Sequence, residues 1–228
     1  PYHRKPYHLI IKPFLMDKRT LIGMTLEELQ DVCLQLSMPK FTAKQMAQWI
    51  YGKHVHAIDE MTNLSKGNRE KLDSLFCVGC SAPLETSRSV DGTIKYLFPT
   101  ESGKFVETVY IPDGDRATLC VSCQVGCKMN CLFCQTGKQG WQGDLTVRDI
   151  LNQIYTVDQL MAQEGGTPLS NIVYMGQGEP LDNIDNVLKS AEILTADYGW
   201  AWSPRRITIS TVGLKKNMRR RLDECECH

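Results

Sequence analysis

The sequence predicts an α/β fold: a truncated, partial (β/α) barrel preceded by a small N-terminal helical domain and a β-hairpin segment. Three observations predict it. Apolar residues follow helical spacing over the first third, an alternating β-rich stretch then flanks an Asp-Gly turn, and after Arg116 strands alternate with helices long enough to be crossovers. The 228 residues, 42% of them hydrophobic, suffice for a packed core. Twenty-six basic residues balance 26 acidic ones, so net charge argues for neither a nucleic acid nor a membrane partner. No apolar run approaches the roughly 18 to 20 residues of a membrane span. The opening P-Y-H-R-K-P-Y-H is not a signal peptide, and the expectation is a cytoplasmic protein with no membrane partner.

Residues 1–15 read as an extension ahead of a natural start at Met16. Residues 16–83 read as a helical domain. Thr25-Leu26-Glu27-Glu28 and Thr42-Ala43-Lys44-Gln45 both have the capping-box pattern, Leu26, Leu29, Val32, Cys33 and Leu36 share a helical face, and Gly52 marks a stop. Residues 84–115 form a β-hairpin connector, with Asp91-Gly92 at the turn and strands over 93–98 and 105–111. From 116 to 228 the chain reads as the first half of a barrel. Strands are predicted at 117–121, 171–175 and 206–210, with helices from Thr146 to Gly165 and from Ile184 to Tyr198. In such a sheet the ligand loops follow the carboxyl ends of the strands, which brings the cysteine-rich loop, Gly176 to Pro180 and Ser210-Thr211 to one side.

Five of the ten cysteines fall between Cys120 and Cys134, which suggests metal or redox chemistry more than a disulfide framework. Cys127, Cys131 and Cys134 form C-K-M-N-C-L-F-C. A structural zinc site closes with four ligands, whereas three thiolates on an iron–sulfur cluster leave one metal position open for a substrate. This spacing resembles that of the radical S-adenosylmethionine (SAM) enzymes. The resemblance narrows with R-A-T-L-C-V-S-C-Q-V-G-C, preceded by F-V-E-T-V-Y-I-P and followed by M-G-Q-G-E-P-L-D-N and R-R-I-T-I-S-T-V-G. Over most of its length the chain resembles the RlmN/Cfr family of RNA methyltransferases, and its RlmN branch more than Cfr.

That resemblance implies a radical SAM methyltransferase acting on carbon 2 of adenine in 23S rRNA and tRNA. It implies a 4Fe-4S cluster on Cys127, Cys131 and Cys134, and S-adenosylmethionine held by Gly178, Glu179 and Ser210, with the acid of Glu179 accepting from the amino end of SAM. Glu107 is implied as the proton acceptor at the adenine ring. Cys120 is implied as the cysteine that resolves an enzyme–RNA crosslink through a transient disulfide bond. An external one-electron donor such as flavodoxin would reduce the cluster. The implied chemistry passes through a methylated cysteine that, by the same resemblance, lies beyond His228 with the later strands. The chain by itself is therefore expected not to methylate RNA.

Cys225 and Cys227 are expected at the exposed end of an interrupted helix, and Cys77 and Cys80 as small apolar residues. Basic residues from Arg205 to Arg221 are candidates for phosphate contacts. The alternatives are another radical SAM enzyme, including Cfr-like methylation at carbon 8, and a non-catalytic zinc module completed by Cys123 or by the Cys77 and Cys80 pair.

Overall fold

A computed structural model describes residues 18–228, and the expectation for residues 1–15 lies outside them. In chain order the elements are β1 (Arg19–Thr20), α1 (Leu26–Gln35), α2 (Thr42–Ala47), α3 (Lys66–Leu75), β2 (Phe76–Cys77), β3 (Glu85–Arg88), β4 (Ile94–Pro99), β5 (Phe105–Asp113) and β6 (Arg116–Cys120). They continue with β7 (Gln124–Val125), α4 (Gln135–Gln139), β8 (Gly143–Asp144), α5 (Val147–Glu164), β9 (Asn171–Tyr174), α6 (Ile184–Thr195), β10 (Ile207–Ile209) and α7 (Lys215–Glu224).

Helix α1 starts as its sequence demands. Thr25 accepts from the Glu28 amide at 3.3 Å while Glu28 reaches back to the Thr25 amide at 2.8 Å. The second capping box does not form. Thr42 lies inside α2 and is buried, so Phe41 stands at the cap without a side-chain bond. The apolar packing of Thr42, Ala43, Met46 and Ala47 outweighs the local capping preference, and the helix runs on as a π-turn to Gly52. Helix α5 is capped by Thr146 and ends on Gly165 in the left-handed region at φ 66°.

The central sheet has six strands in the order β10-β9-β6-β5-β4-β3. Strands β6, β9 and β10 are parallel, as helical crossovers require, while β3 to β6 run as an antiparallel meander. The hairpin segment is thus continuous with the barrel strands, and β5 to β6 is the seam. Alternation assigns one face to the core, with Tyr96, Phe98, Val106, Leu119, Ile172, Tyr174 and Ile207 all buried. Helices α5 and α6 cover that face. Gln153 of α5 accepts from Thr108 Oγ1 at 2.6 Å, and Ser190 of α6 lies 2.7 Å from the Tyr174 hydroxyl. The opposite face is open.

The helical segment packs on the outer side of α5 and α6. Tyr155 donates to the Val55 carbonyl at 2.6 Å, and Arg148, buried in α5, donates to the Gly79 carbonyl at 2.7 Å. Tyr51, His54, Tyr155 and Trp200 form an aromatic cluster at the junction. No helix among the described residues is long and apolar enough to cross a membrane.

The end of the chain departs from its expectation. Helix α7 stops at Glu224, after which Cys225 is extended, Cys227 is buried and His228 pairs with β10. The Ile209 amide donates to the His228 carbonyl at 2.6 Å, and the His228 amide to the Ile207 carbonyl at 3.0 Å. Residues 225–228 therefore run beside the edge of β10, whose unpaired backbone groups His228 meets.

Candidate active site

The open face is read directly from the register. Lys95, Val109, Cys120, Val173 and Thr208 form one row across β4, β5, β6, β9 and β10. Glu107 lies two residues from Val109 on the same face, opposite Leu97, so Glu107 and Cys120 are diagonal neighbours on adjacent strands. Both are partly exposed, as is Ser210 one step beyond β10. Burial raises the pKa of the Cys120 thiol, and a hydrogen bond from the Met175 backbone offsets part of the rise. Glu107 Oε1 is 2.7 Å from Lys95 Nζ.

Three loops meet at the carboxyl ends of β6, β9 and β10. The amides of Cys123 and Gln124 donate to the Gln177 carbonyl at 2.9 and 3.1 Å, which ties the root of the cysteine loop to the glycine-rich loop. Gly178 takes φ 104°, and a Cβ there would sit 2.6 Å from that of Gln124, so only glycine allows this approach. Glu179 is buried. Its Oε1 accepts from the Leu181 amide and the Thr211 hydroxyl, and its Oε2 from the Val212 amide at 2.9 Å. Both carboxylate oxygens tie the second loop to the third.

The sequence reading missed Gln124, which is wholly buried and joins the loops. Its amide oxygen accepts from the Glu179 backbone at 2.9 Å, and its nitrogen donates to Asp144 and Asp182 at 2.7 and 2.8 Å. Asp182 also pairs with Lys128 of the cysteine loop at 2.9 Å, and Asn183 donates to the carbonyls of Cys123 and Leu145. Gln124 lies within the Val121 to Cys127 motif and Asn183 within Gly176 to Asn183, but neutral amides carry no chemical flag beside cysteines.

Cys127 is nearly buried, while Cys131 and Cys134 are partly exposed. They lie on one tightly turned loop. Asn130 takes φ 48°, the Cys134 amide donates to the Cys131 carbonyl at 3.0 Å, and Gly137 of α4 packs against the Cys131 backbone. Among the described residues no three His, Cys, Asp or Glu side chains gather around a single ion. A cluster asks for a different disposition, with each thiolate on its own iron, and three soft donors on a loop open on the side of Leu132 and Phe133, both 94% exposed, fit that demand. All ten cysteines are free. Cys80 is packed in the junction beside Tyr155, and burial pushes its thiol up to about 12. Cys123 is buried, and burial raises its thiol well above its ordinary range.

Residues 19–78 match the family described as "Ribosomal RNA large subunit methyltransferase N-terminal domain", and residues 121–226 match the "Radical SAM superfamily". The chain is 57% identical over 211 residues to the probable dual-specificity RNA methyltransferase RlmN of Phocaeicola vulgatus, covering 92% of this chain. The chain thus carries an RlmN-type N-terminal segment followed by a radical SAM segment. It is also 41% identical over 207 residues to the dual-specificity RNA methyltransferase RlmN of Oleidesulfovibrio alaskensis. A crystal structure of a radical SAM methyltransferase from Sphaerobacter thermophilus superposes with a TM-score of 0.84 at 36% identity, over 92% of this chain and 62% of that one. The chain spans 59% of the length of the Phocaeicola relative and 58% of the other. Glu107 and Cys120 fall between the two matched segments, on the strands that join them.

The basic stretch near the end is largely used internally. Arg206 donates to the Leu169 and Ser170 carbonyls and stacks 3.8 Å from the Trp202 ring. Arg219 pairs with Asp223, Arg220 with Asp185 and Glu224, and Arg221 reaches the carbonyls of Cys225 and Cys227. Lys215 and Lys216 stand exposed at the first turn of α7.

Proposed function

We propose that this chain forms the greater part of a radical SAM enzyme that methylates carbon 2 of adenine in 23S rRNA and tRNA, in the cytoplasm and with a flavodoxin-like electron donor. The observation that carries the reading is the placement of Glu107 and Cys120 side by side on the open sheet face, at the end where the three-cysteine loop begins. In this reading Cys127, Cys131 and Cys134 hold a 4Fe-4S cluster. With SAM bound, such a cluster would supply the one-electron chemistry that generates a carbon radical. Gly178 offers close backbone approach to SAM, Ser210 its hydroxyl, and Glu179 an acid that accepts from the amino end of SAM. Glu107 would take the proton from the ring carbon; the Cys120 thiolate would attack the sulfur that links enzyme and RNA, the sulfur–sulfur bond forming as the carbon–sulfur bond breaks and the released carbon taking up a proton to become the methyl group. An adenine stacked in a helix must be extruded to reach this face. The names of the relatives support the choice of RNA.

The test joins this chain to the remaining segment of its relatives and replaces Glu107 by Gln. Cluster assembly and SAM cleavage are expected to persist, with methylated adenine reduced by about 10²-fold or more and RNA trapped covalently on the protein. Methylation at the parent rate would show that the proton leaves by another route.

A further inference from the structure

The open face carries a cation that the reading above leaves without a role. Lys95 projects from β4 in the same row as Val109 and Cys120, and its ammonium lies 2.7 Å from Glu107 Oε1. Both side chains are about half exposed, at 50% and 44%. An exposed ion pair of this kind contributes little to stability, so folding alone gives no strong reason for it. The neighbours on the face are apolar or neutral: Leu97 opposite Glu107, then Val109 and Val173. The other charged or titratable groups on β3 to β6 are Glu85 and Arg88 of β3, Tyr96 of β4, Tyr110 and Asp113 of β5, and Arg116 and Cys120 of β6; by register Glu85, exposed and opposite Leu97, and Cys120 lie beside the pair. Among the described residues no donor meets Glu107 Oε2.

We propose that Lys95 is a positioning residue for Glu107, holding Oε1 so that Oε2 faces the adenine ring and replacing the water that a bound base drives from the carboxylate. The inference rests on the proposed role of Glu107. Lys95 keeps its proton throughout, and the ring proton goes to Oε2. The anchored oxygen removes the rotational freedom of a glutamate side chain, and the ammonium supplies in a water-poor site what solvent supplies in an empty one. A misdirected carboxylate would leave the chain able to bind RNA and to form the covalent adduct, but slow to resolve it.

The experiment compares Lys95→Met, Lys95→Arg, Glu107→Gln and the Met/Gln double variant in the chain joined to its relatives' remaining segment. It measures cluster absorption, affinity for a ribosomal RNA fragment and the rate at which trapped RNA is released. Lys95→Met is expected to keep the cluster and the RNA affinity while releasing RNA about ten- to a hundredfold more slowly. Lys95→Arg should recover most of the rate, and the double variant should be no slower than Glu107→Gln alone, because the two residues act as one unit. Release at the parent rate by Lys95→Met, full multiplication of the two defects, or a loss of RNA affinity that accounts for the slower turnover would each overturn the inference. If Glu107→Gln traps RNA and Lys95→Met does not, only the inference fails; if Glu107→Gln itself turns over normally, the reading of Glu107 fails first.

Discussion

Gln124 shows how a residue without reactive chemistry can hold a reactive site together. Its one amide spans the Glu179 backbone, Asp144 and Asp182, and its neighbour across the loop is a glycine at positive φ. Replacing it by Leu would leave a buried amide and two acids short of a partner, at a cost of about 2–4 kcal/mol. Urea unfolding should show a lower midpoint for Gln124→Leu with an unchanged slope. The cysteine spacing was legible because few ligand sets share it. The roles proposed for Glu107 and Cys120 come only from resemblance, since a strand carboxylate and one thiol among ten declare nothing alone. Gln124 was not legible, because its partners are 20 to 58 residues away and a neutral amide gives no periodic or chemical signal. The bonds of Glu179 to Thr211 and Val212 were hidden for a related reason: those donors belong to a loop beyond the next helix.

At the scale of elements, local rules succeeded where local contacts dominate. Thr25 and Thr146 cap their helices as their sequences require, and Gly165 ends α5. Thr42 fails to cap because the core takes it, a competition invisible to a four-residue pattern. The junction between the helical segment and α5 was equally hidden, since its contacts join His54 to Tyr155 and Trp200 across about a hundred residues or more. Burial there lowers the His54 pKa below 6.5, even with the Asp158 carboxylate 3.9 Å away opposing the shift. As pH falls through that value, the unfolded imidazole takes up a proton that the buried one resists, so folding loses stability. The melting temperature should therefore be lower near pH 6 than near pH 7.5, and His54→Gln should flatten that difference. An equal pH response in the two proteins would place the sensitive group elsewhere.

For the molecule as a whole, the parallel strand order and the convergence of three loops were legible, because crossover helices leave few other topologies. The fusion of the hairpin strands into the same sheet was not, since strand pairing across β5 and β6 depends on register that alternation alone does not assign. Nor was the fate of Cys227, which polar neighbours in sequence disguise and the edge of β10 buries. The central claim is that Cys127, Cys131 and Cys134 form a cluster loop while Cys120, on the adjoining sheet face, stays outside it. Anaerobic reconstitution of the 228-residue chain with iron and sulfide, followed by metal analysis and visible absorption, tests it most directly. The account predicts about four irons and four sulfides per chain, loss of most of that absorption in each of Cys127→Ala, Cys131→Ala and Cys134→Ala, and its retention in Cys120→Ala. Zinc in place of iron, or a cluster that needs Cys120 and survives without one of the other three, would contradict it.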